Sequence, residues 1–542
     1  MWSFLTRLPD ILIAWVTPHL RRFTTEKQPL IWILSLVIGA GVGVAAIVFR
    51  ELIGLVQLPW LGDRSEKVLS AAENISWIMI LAAPIVGGLI VGLLLHRIQT
   101  RRAGGVADVI EARALSGRRL SVRDGLWSAL VSGISLGSGA SAGREGPVIH
   151  LGGTLASAVA EKTGLPAASR RTLLSAGVAS AISASFNAPI AGVLFAHEVI
   201  LGHYSMRSFV PIVIASTAGS LVSRAWFGDA AAFFLPEYQI TSYWEFPAFA
   251  LLGITAAIVA ILFEFSLFAA DFVSRKVTIP LWTRPVIGGA MVGLIAIFFP
   301  HVLGVGYEVT DMALWNQLPL LLMLMLIVAK TAATAITLAS RFGGGIFSPA
   351  LYLGAMTGGA FGIIASSFFP ELASSNGLYA ILGMGAVAGA VLGAPISTTM
   401  IVFELTGGYA LSVALLLCVA IAHGIAQAVH GHSWFQWQLE MRGIFVTDGP
   451  HTTVTHHTKV MDFMDPVEED EDAEYDPERG VPSVRPTDTL DQALRAFDAG
   501  GHARLPVVDP KDPAKVIAWA SHVRALRYFN RALVSASEEE HR

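Results

Sequence analysis

Gly137-Ser-Gly-Ala-Ser-Ala-Gly-Arg-Glu-Gly-Pro-Val-Ile-His-Leu-Gly-Gly153 decides how the rest of the chain is read. Glycines crowd its first half, and apolar runs flank it. Near its centre stands one carboxylate, Glu145, followed by Gly146, Pro147 and an apolar stretch of helical character. Proline suits a first helical turn, where its missing N–H would have no partner anyway. Glu145 therefore falls at a helix start. Such a start offers unpaired N–H groups and a partial positive charge, a setting for an anion. A carboxylate placed there plays the anion itself, is displaced by one, or leaves by taking a proton. That makes it a candidate gate. Glycine-rich apolar stretches also serve as plain helix-packing surface, but an ionisable residue at membrane depth points to function.

Composition supports membrane depth. Of 542 residues, 54% are hydrophobic and 14% charged, against about 25% charged in soluble domains. This is a polytopic membrane protein with a smaller soluble part. A net charge of −4 gives no reason to expect a nucleic-acid partner. Cys418 is the only cysteine, so no intrachain disulfide forms. No signal peptide is expected. Trp2, Phe4, Leu5, Leu8, Ile11, Leu12 and Trp15 recur at helical spacing before Arg21 and Arg22, which reads as an interfacial amphipathic helix within 1–28.

Long apolar runs cover about 29–57, 76–97, 206–227, 246–272, 284–300, 317–337 and 408–430, each near the ~20 residues that span a bilayer. Runs at 126–141, 147–160, 171–184, 189–201, 346–368, 376–392 and 395–406 are short or broken by glycine and proline. Broken helices at membrane depth line cavities and point to a transport site. Arg101, Arg102, Arg113, Arg118, Arg119 and Arg123 place the loop before the glycine stretch in the cytoplasm.

The chain also repeats itself. Pro147 precedes Gly152 by five residues, as Pro349 precedes Gly354. Ala188-Pro-Ile190 precedes Glu198 as Ala394-Pro-Ile396 precedes Glu404. Two halves with matching broken segments suggest a shared midplane site, inverted if each half holds an odd number of spans. The second half has its own helix-start loop, Gly343-Gly-Gly-Ile-Phe-Ser-Pro349. The N–H groups of Ile346 and Phe347 would face the anion met by those near Glu145. Helix ends hold a halide without the full charge that would keep it from leaving.

With these motifs in place, the chain resembles the CLC family of chloride channels and chloride/proton antiporters over about 30–443. Gly143-Arg-Glu-Gly-Pro147 is similar to the family's gating-glutamate motif. Gly345-Ile-Phe-Ser-Pro349 resembles its second anion loop, and Phe186-Asn-Ala-Pro-Ile-Ala-Gly-Val-Leu-Phe195 also fits. The resemblance implies a homodimer with one anion path per subunit, in the cell membrane, both termini cytoplasmic. The tail resembles a single CBS domain, with a helix at 489–499 and strands at 504–509 and 516–520.

Three departures stand out. The family's first loop carries a serine that touches the central anion; the matching place here is Gly104. Its central tyrosine falls at Phe435. The antiporters' inner proton-transfer glutamate falls at Val199, just after Glu198.

Other signals carry less. His197-Glu198 invites a zinc-protease reading, but that chemistry needs a second histidine one turn on, where Leu201 stands. His203 is six residues from His197, about 240° round a helix. His197 and Glu198 remain possible proton relays; Glu404 reads as structural. Gly383-Met-Gly-Ala-Val-Ala-Gly389 lies in an apolar run with no strand before it, so it reads as packing. His451, His456 and His457 read as linker, and Glu468 to Asp472 as a solvated acidic loop. CBS domains that hold a ribose use an Asp three residues after a Ser or Thr. Ser521 is followed there by Arg524, so a nucleotide is not expected.

The expected architecture is therefore an all-α polytopic membrane bundle of two similar halves (29–443), after an amphipathic start (1–28) and before a small cytoplasmic α/β CBS-like domain with its linker (444–542). It is not an enzyme and needs no cofactor or metal. Chloride or a similar anion passes a gate at Glu145, channel-like conduction being favoured and chloride/proton antiport the alternative. Backbone N–H groups around Arg144, Glu145, Gly146, Ile346 and Phe347 bind the anion, and Gly104 and Phe435 line its path.

Overall fold

The computed structural model describes residues 15–115, 119–229, 233, 240, 242–371, 373–406, 409–445, 454–456, 458–467, 475 and 481–541. The chain forms two units, residues 1–113 with 119–435, and 114–118 with 436–542.

The first unit is helical. Among the described residues seven helices are long and apolar enough to cross a membrane: Gln28–Leu61, Trp77–Arg97, Met206–Phe227, Tyr243–Lys276, Leu320–Ala339, Phe347–Phe368 and Leu411–Glu440. They bury small residues and turn large apolar ones outward. In Gln28–Leu61, Gly39 and Gly43 are buried while Leu36, Val37, Val44 and Val48 are exposed. A Cβ on Gly39 would lie 2.4 Å from the Ala215 carbonyl oxygen of helix Met206–Phe227. Without water to drive association, close backbone approach is what holds such helices together.

Two expectations change. The stretch 346–368, read as broken, is one continuous 22-residue helix, Phe347–Phe368. Its glycines are contact surface: a Cβ on Gly358 would lie 2.0 Å from the Tyr379 carbonyl oxygen of helix Asn376–Leu392. The stretch 284–300, read as a full span, is the shorter helix Thr283–Phe298 of 16 residues. At the start, residues 15–25 are helical and 26–27 form a turn into helix Gln28–Leu61, while residues 1–14 of the proposed amphipathic segment lie outside the described residues.

The repeat is visible as reciprocal hydrogen bonds. Ser135 Oγ accepts from Gly343 N at 3.0 Å, and its counterpart Thr337 Oγ1 accepts from Ser141 N at 3.2 Å. Glu198 accepts from Ile396 N and Ser397 N at 3.0 and 2.7 Å; Glu404 accepts from Ile190 N and Ala191 N at 3.0 and 2.7 Å. Each glutamate ends one repeat's helix and caps the start of the other's, so helices Pro189–Phe195 and Pro395–Thr406 run antiparallel. Equivalent helices pointing in opposite directions make the halves inverted. The carboxylates answer unpaired N–H groups and the positive end of each partner helix.

The second unit is α/β. Strands Asp465–Pro466, Val516–Ser521 and Arg504–Val508 form an antiparallel sheet in that order. Helix Leu490–Gly500 starts on a reciprocal Thr489–Gln492 capping box and buries Leu490, Ala493 and Phe497 in a core with Leu505, Val507 and Ala520. Arg524 pairs with Asp465 on the edge strand. Of the linker histidines only His456 is described, against Phe445; His451, His457 and the acidic run lie outside the described residues.

Candidate functional site

Two helix starts meet at the centre of the first unit. Helices Glu145–Lys162 and Phe347–Phe368 each begin on a glycine loop. The loops are tied by a pair of bonds, Gly143 N to Gly345 O at 2.6 Å and Gly345 N to Gly143 O at 2.7 Å. Only glycine permits this approach. A Cβ on Gly345 would lie 3.0 Å from Gly146 N, and one on Gly344 2.4 Å from the Ala142 methyl. Among the described residues no protein acceptor takes the N–H of Glu145, Gly146, Ile346 or Phe347. Both starts therefore keep their anion-binding character. Phe347 is set by Phe186 and Phe195, ring centroids 5.1 and 6.0 Å away; both belong to the third stretch singled out in the sequence.

Glu145 is completely buried. Its Oε1 accepts from Tyr307 Oη at 2.5 Å and its Oε2 from Ser348 Oγ at 2.6 Å. Arg144 Nε lies 3.9 Å from Oε1. A buried carboxylate is tolerable only when paired and hydrogen-bonded, and hydroxyl donors to a charged acceptor are among the stronger bonds. The Glu145 carboxylate is thus held in place by donors from the second half of the chain.

Sequence reasoning missed both donors. Ser348 lies inside the second loop, where attention went to backbone N–H groups. Tyr307 opens helix Tyr307–Leu314 after Gly304 and Gly306, whose φ values are 60° and 93°. That glycine-flanked helix start is the available signal. Lys330, fully buried, braces the turn by donating to the carbonyls of Val302 and Gly304 at 3.0 Å each. Phe233 packs edge-on against the Tyr307 ring at 5.2 Å.

The other predicted site residues fall differently. Gly104 N donates to Ser128 Oγ at 3.1 Å. A Cβ on Gly104 would lie 2.3 Å from His150 Cε1 and Nε2, so the imidazole already fills the space a serine would need. Phe435 is buried in helix Trp434–Glu440. His197 Nδ1 lies 2.9 Å from Val193 O and Nε2 3.2 Å from Ser208 Oγ, with Tyr204 stacked at 5.6 Å. Both its nitrogens are engaged. His197, Glu198 and Val199 lie on a π turn, Ala196–Leu201, and Glu198 is committed to the cap described above. Among the described residues no cluster of three metal-ligating side chains occurs.

Comparison with known proteins bears on this geometry. The family described as "Voltage gated chloride channel" matches residues 87–427, well over half of the chain. A putative chloride channel protein ClcB-like of Ralstonia nicotianae is 30% identical over 401 residues, covering 72% of this chain and 92% of the relative. A Vibrio cholerae protein named H(+)/Cl(-) exchange transporter ClcA is 30% identical over 445 residues, covering 79% and 92%. Among solved structures, a slow cyanobacterial Cl-/H+ antiporter superposes with a TM-score of 0.68 at 21% identity, over 76% of this chain and 97% of that one. A eukaryotic CLC transporter gives 0.66 at 17% identity, over 94% and 89%.

Proposed function

The chain belongs to the voltage-gated chloride channel (CLC) family of anion transporters and channels, and from that membership we propose that it exchanges chloride for protons through a path closed by Glu145. The observation that carries the reading is the buried carboxylate held by Tyr307 and Ser348 across two unpaired helix starts. A charged Glu145 occupies the place an anion would take. Protonation removes its charge and with it the reason to stay, and an anion then takes over the N–H groups of Gly146, Ile346 and Phe347. Each passage is thereby linked to a proton. The exchange transporters among the relatives and structural neighbours support the same reading.

Val199 favours a second reading, channel-like conduction. A valine carries no proton, so the Gly104 side lacks the acid that the family resemblance puts there, and an anion there need not wait for one. Gly104 and Phe435, where the resemblance implies hydroxyl donors, point the same way.

The chain works as a homodimer in the cell membrane. The arginines at 101, 102, 113, 118, 119 and 123 put the Gly104 end in the cytoplasm, with both termini. Glu66, beyond the far end of helix Gln28–Leu61, then faces outside. The tail is a structural module that binds no nucleotide, because Arg524, paired with Asp465, stands where a ribose-binding aspartate would be.

Reconstituted protein tests the reading. An imposed chloride gradient should drive protons uphill at a fixed ratio. A reversal potential equal to that of the anion alone, with no proton movement, selects the channel.

A further inference from the structure

Arg144, one residue before Glu145, also belongs to a cluster of charges on its other side. The chain leaves helix Gln28–Leu61 through Gly62, whose φ is 73°, into a polar loop carrying Arg64 and Glu66. Two guanidinium groups grip the Glu66 carboxylate: Arg50 Nε at 2.9 Å, and Arg144 in a close ion pair. Both guanidinium groups are held by rings, Arg50 over Phe227 at 4.0 Å and Arg144 over Tyr307 at 4.8 Å. A cavity of about 150 Å³ opens among Arg50, Arg64, Glu66, Arg144 and Tyr307.

The two sides of this contact are unequal. Arg144 stands at a helix start with its side chain only 6% exposed, whereas Arg50, on a helix, is 37% exposed, so the inequality lies between Arg144 and Glu66. The carboxylate sits on a loop and is 36% exposed. Removing one partner of a buried ion pair strands the other charge at high cost. Arg144 therefore holds an anion at all times, and Glu66 is the member able to leave. Three arginines and two glutamates line the cavity, so withdrawal of Glu66 raises its positive excess.

We propose that Arg50 and Arg144 form a binding site for a small monovalent anion at the mouth above the gate, and that Glu66 is its tethered occupant, displaced when an anion enters. The site goes beyond the gate and does not depend on whether protons are exchanged.

Bromide titration by calorimetry on the full-length protein tests this. Glu66→Gln should bind bromide at this site about tenfold more tightly than the wild type, because no tethered carboxylate competes, and Glu66→Gln/Arg50→Gln should lose most of that gain. To separate the site from the gate, the comparison is repeated with Glu145→Gln, where adding Glu66→Gln should again tighten bromide binding. If Glu66→Gln fails to fold, Glu66→Asp keeps the charge but shortens its reach; its bromide affinity in the same titration should rise by about tenfold, since close charge pairs are coupled by about 1.5 kcal/mol or more. An unchanged bromide affinity in Glu66→Gln, or in Glu66→Asp, overturns the proposal.

Discussion

At the Glu145 end, hydroxyls from Tyr307 and Ser348 converge on one carboxylate with Arg144 alongside. Gly104 and Phe435 stand where the family resemblance implies hydroxyls, and an imidazole fills the space beside Gly104. The difference concerns where tight binding sits. A hydrogen bond to a charged group contributes about 1.5–3 kcal/mol. Donors at the gate stabilise the closed, charged state. On the proposed path, the missing donors would leave a transiting anion weakly held. In the proposed mechanism the gate is tight and the path loose.

Removing the gate donors should break the contrast most strongly. Tyr307→Phe with Ser348→Ala takes two charge-assisted bonds from Glu145. Each single change should raise anion flux at neutral pH by about tenfold or more, given ~1.5–3 kcal/mol per bond, and the pair by less than the product because both act on one carboxylate. Stopped-flow efflux from liposomes measures it. Wild-type flux in the double variant would mean the clamp does not hold the gate.

Restoring a donor on the loose side should sharpen the contrast more gently. Phe435→Tyr should tighten anion binding several-fold by calorimetry. Gly104→Ser should not, because its side chain meets His150 at 2.3 Å; it needs Gly104→Ser/His150→Ala to bind more tightly. A tighter site in the single Gly104→Ser variant would show that the imidazole yields.

The smallest effects belong to the paired caps. Glu198→Gln and Glu404→Gln each weaken one helix-start cap and should lower stability by about 0.5–2 kcal/mol, Glu198→Gln by the larger amount because Glu198 also accepts from Ser397 Oγ. Glu198→Gln should leave any proton coupling intact. If it alone abolishes coupling, Glu198 is a relay as well as a cap.

Much of this was legible beforehand. Pro147 and Pro349 marked both helix starts, and the Glu198/Glu404 spacing marked the repeat, because proline and a cap leave local signatures. The gate's donors were not legible. Tyr307 lies 162 residues from Glu145, and no local pattern reports a contact made by folding. The glycines of Phe347–Phe368 misled for a related reason. In water they would weaken a helix, whereas here they admit the backbone of Asn376–Leu392. His150 went unread as a site residue because nothing in its own helix ties it to Gly104.

The most direct test of the clamped carboxylate as gate is anion flux against external pH, wild type beside Glu145→Gln. Wild-type flux should climb as external pH falls, while Glu145→Gln should conduct at a high rate with a flat profile. A Glu145→Gln protein that retains the wild-type pH profile would contradict the account.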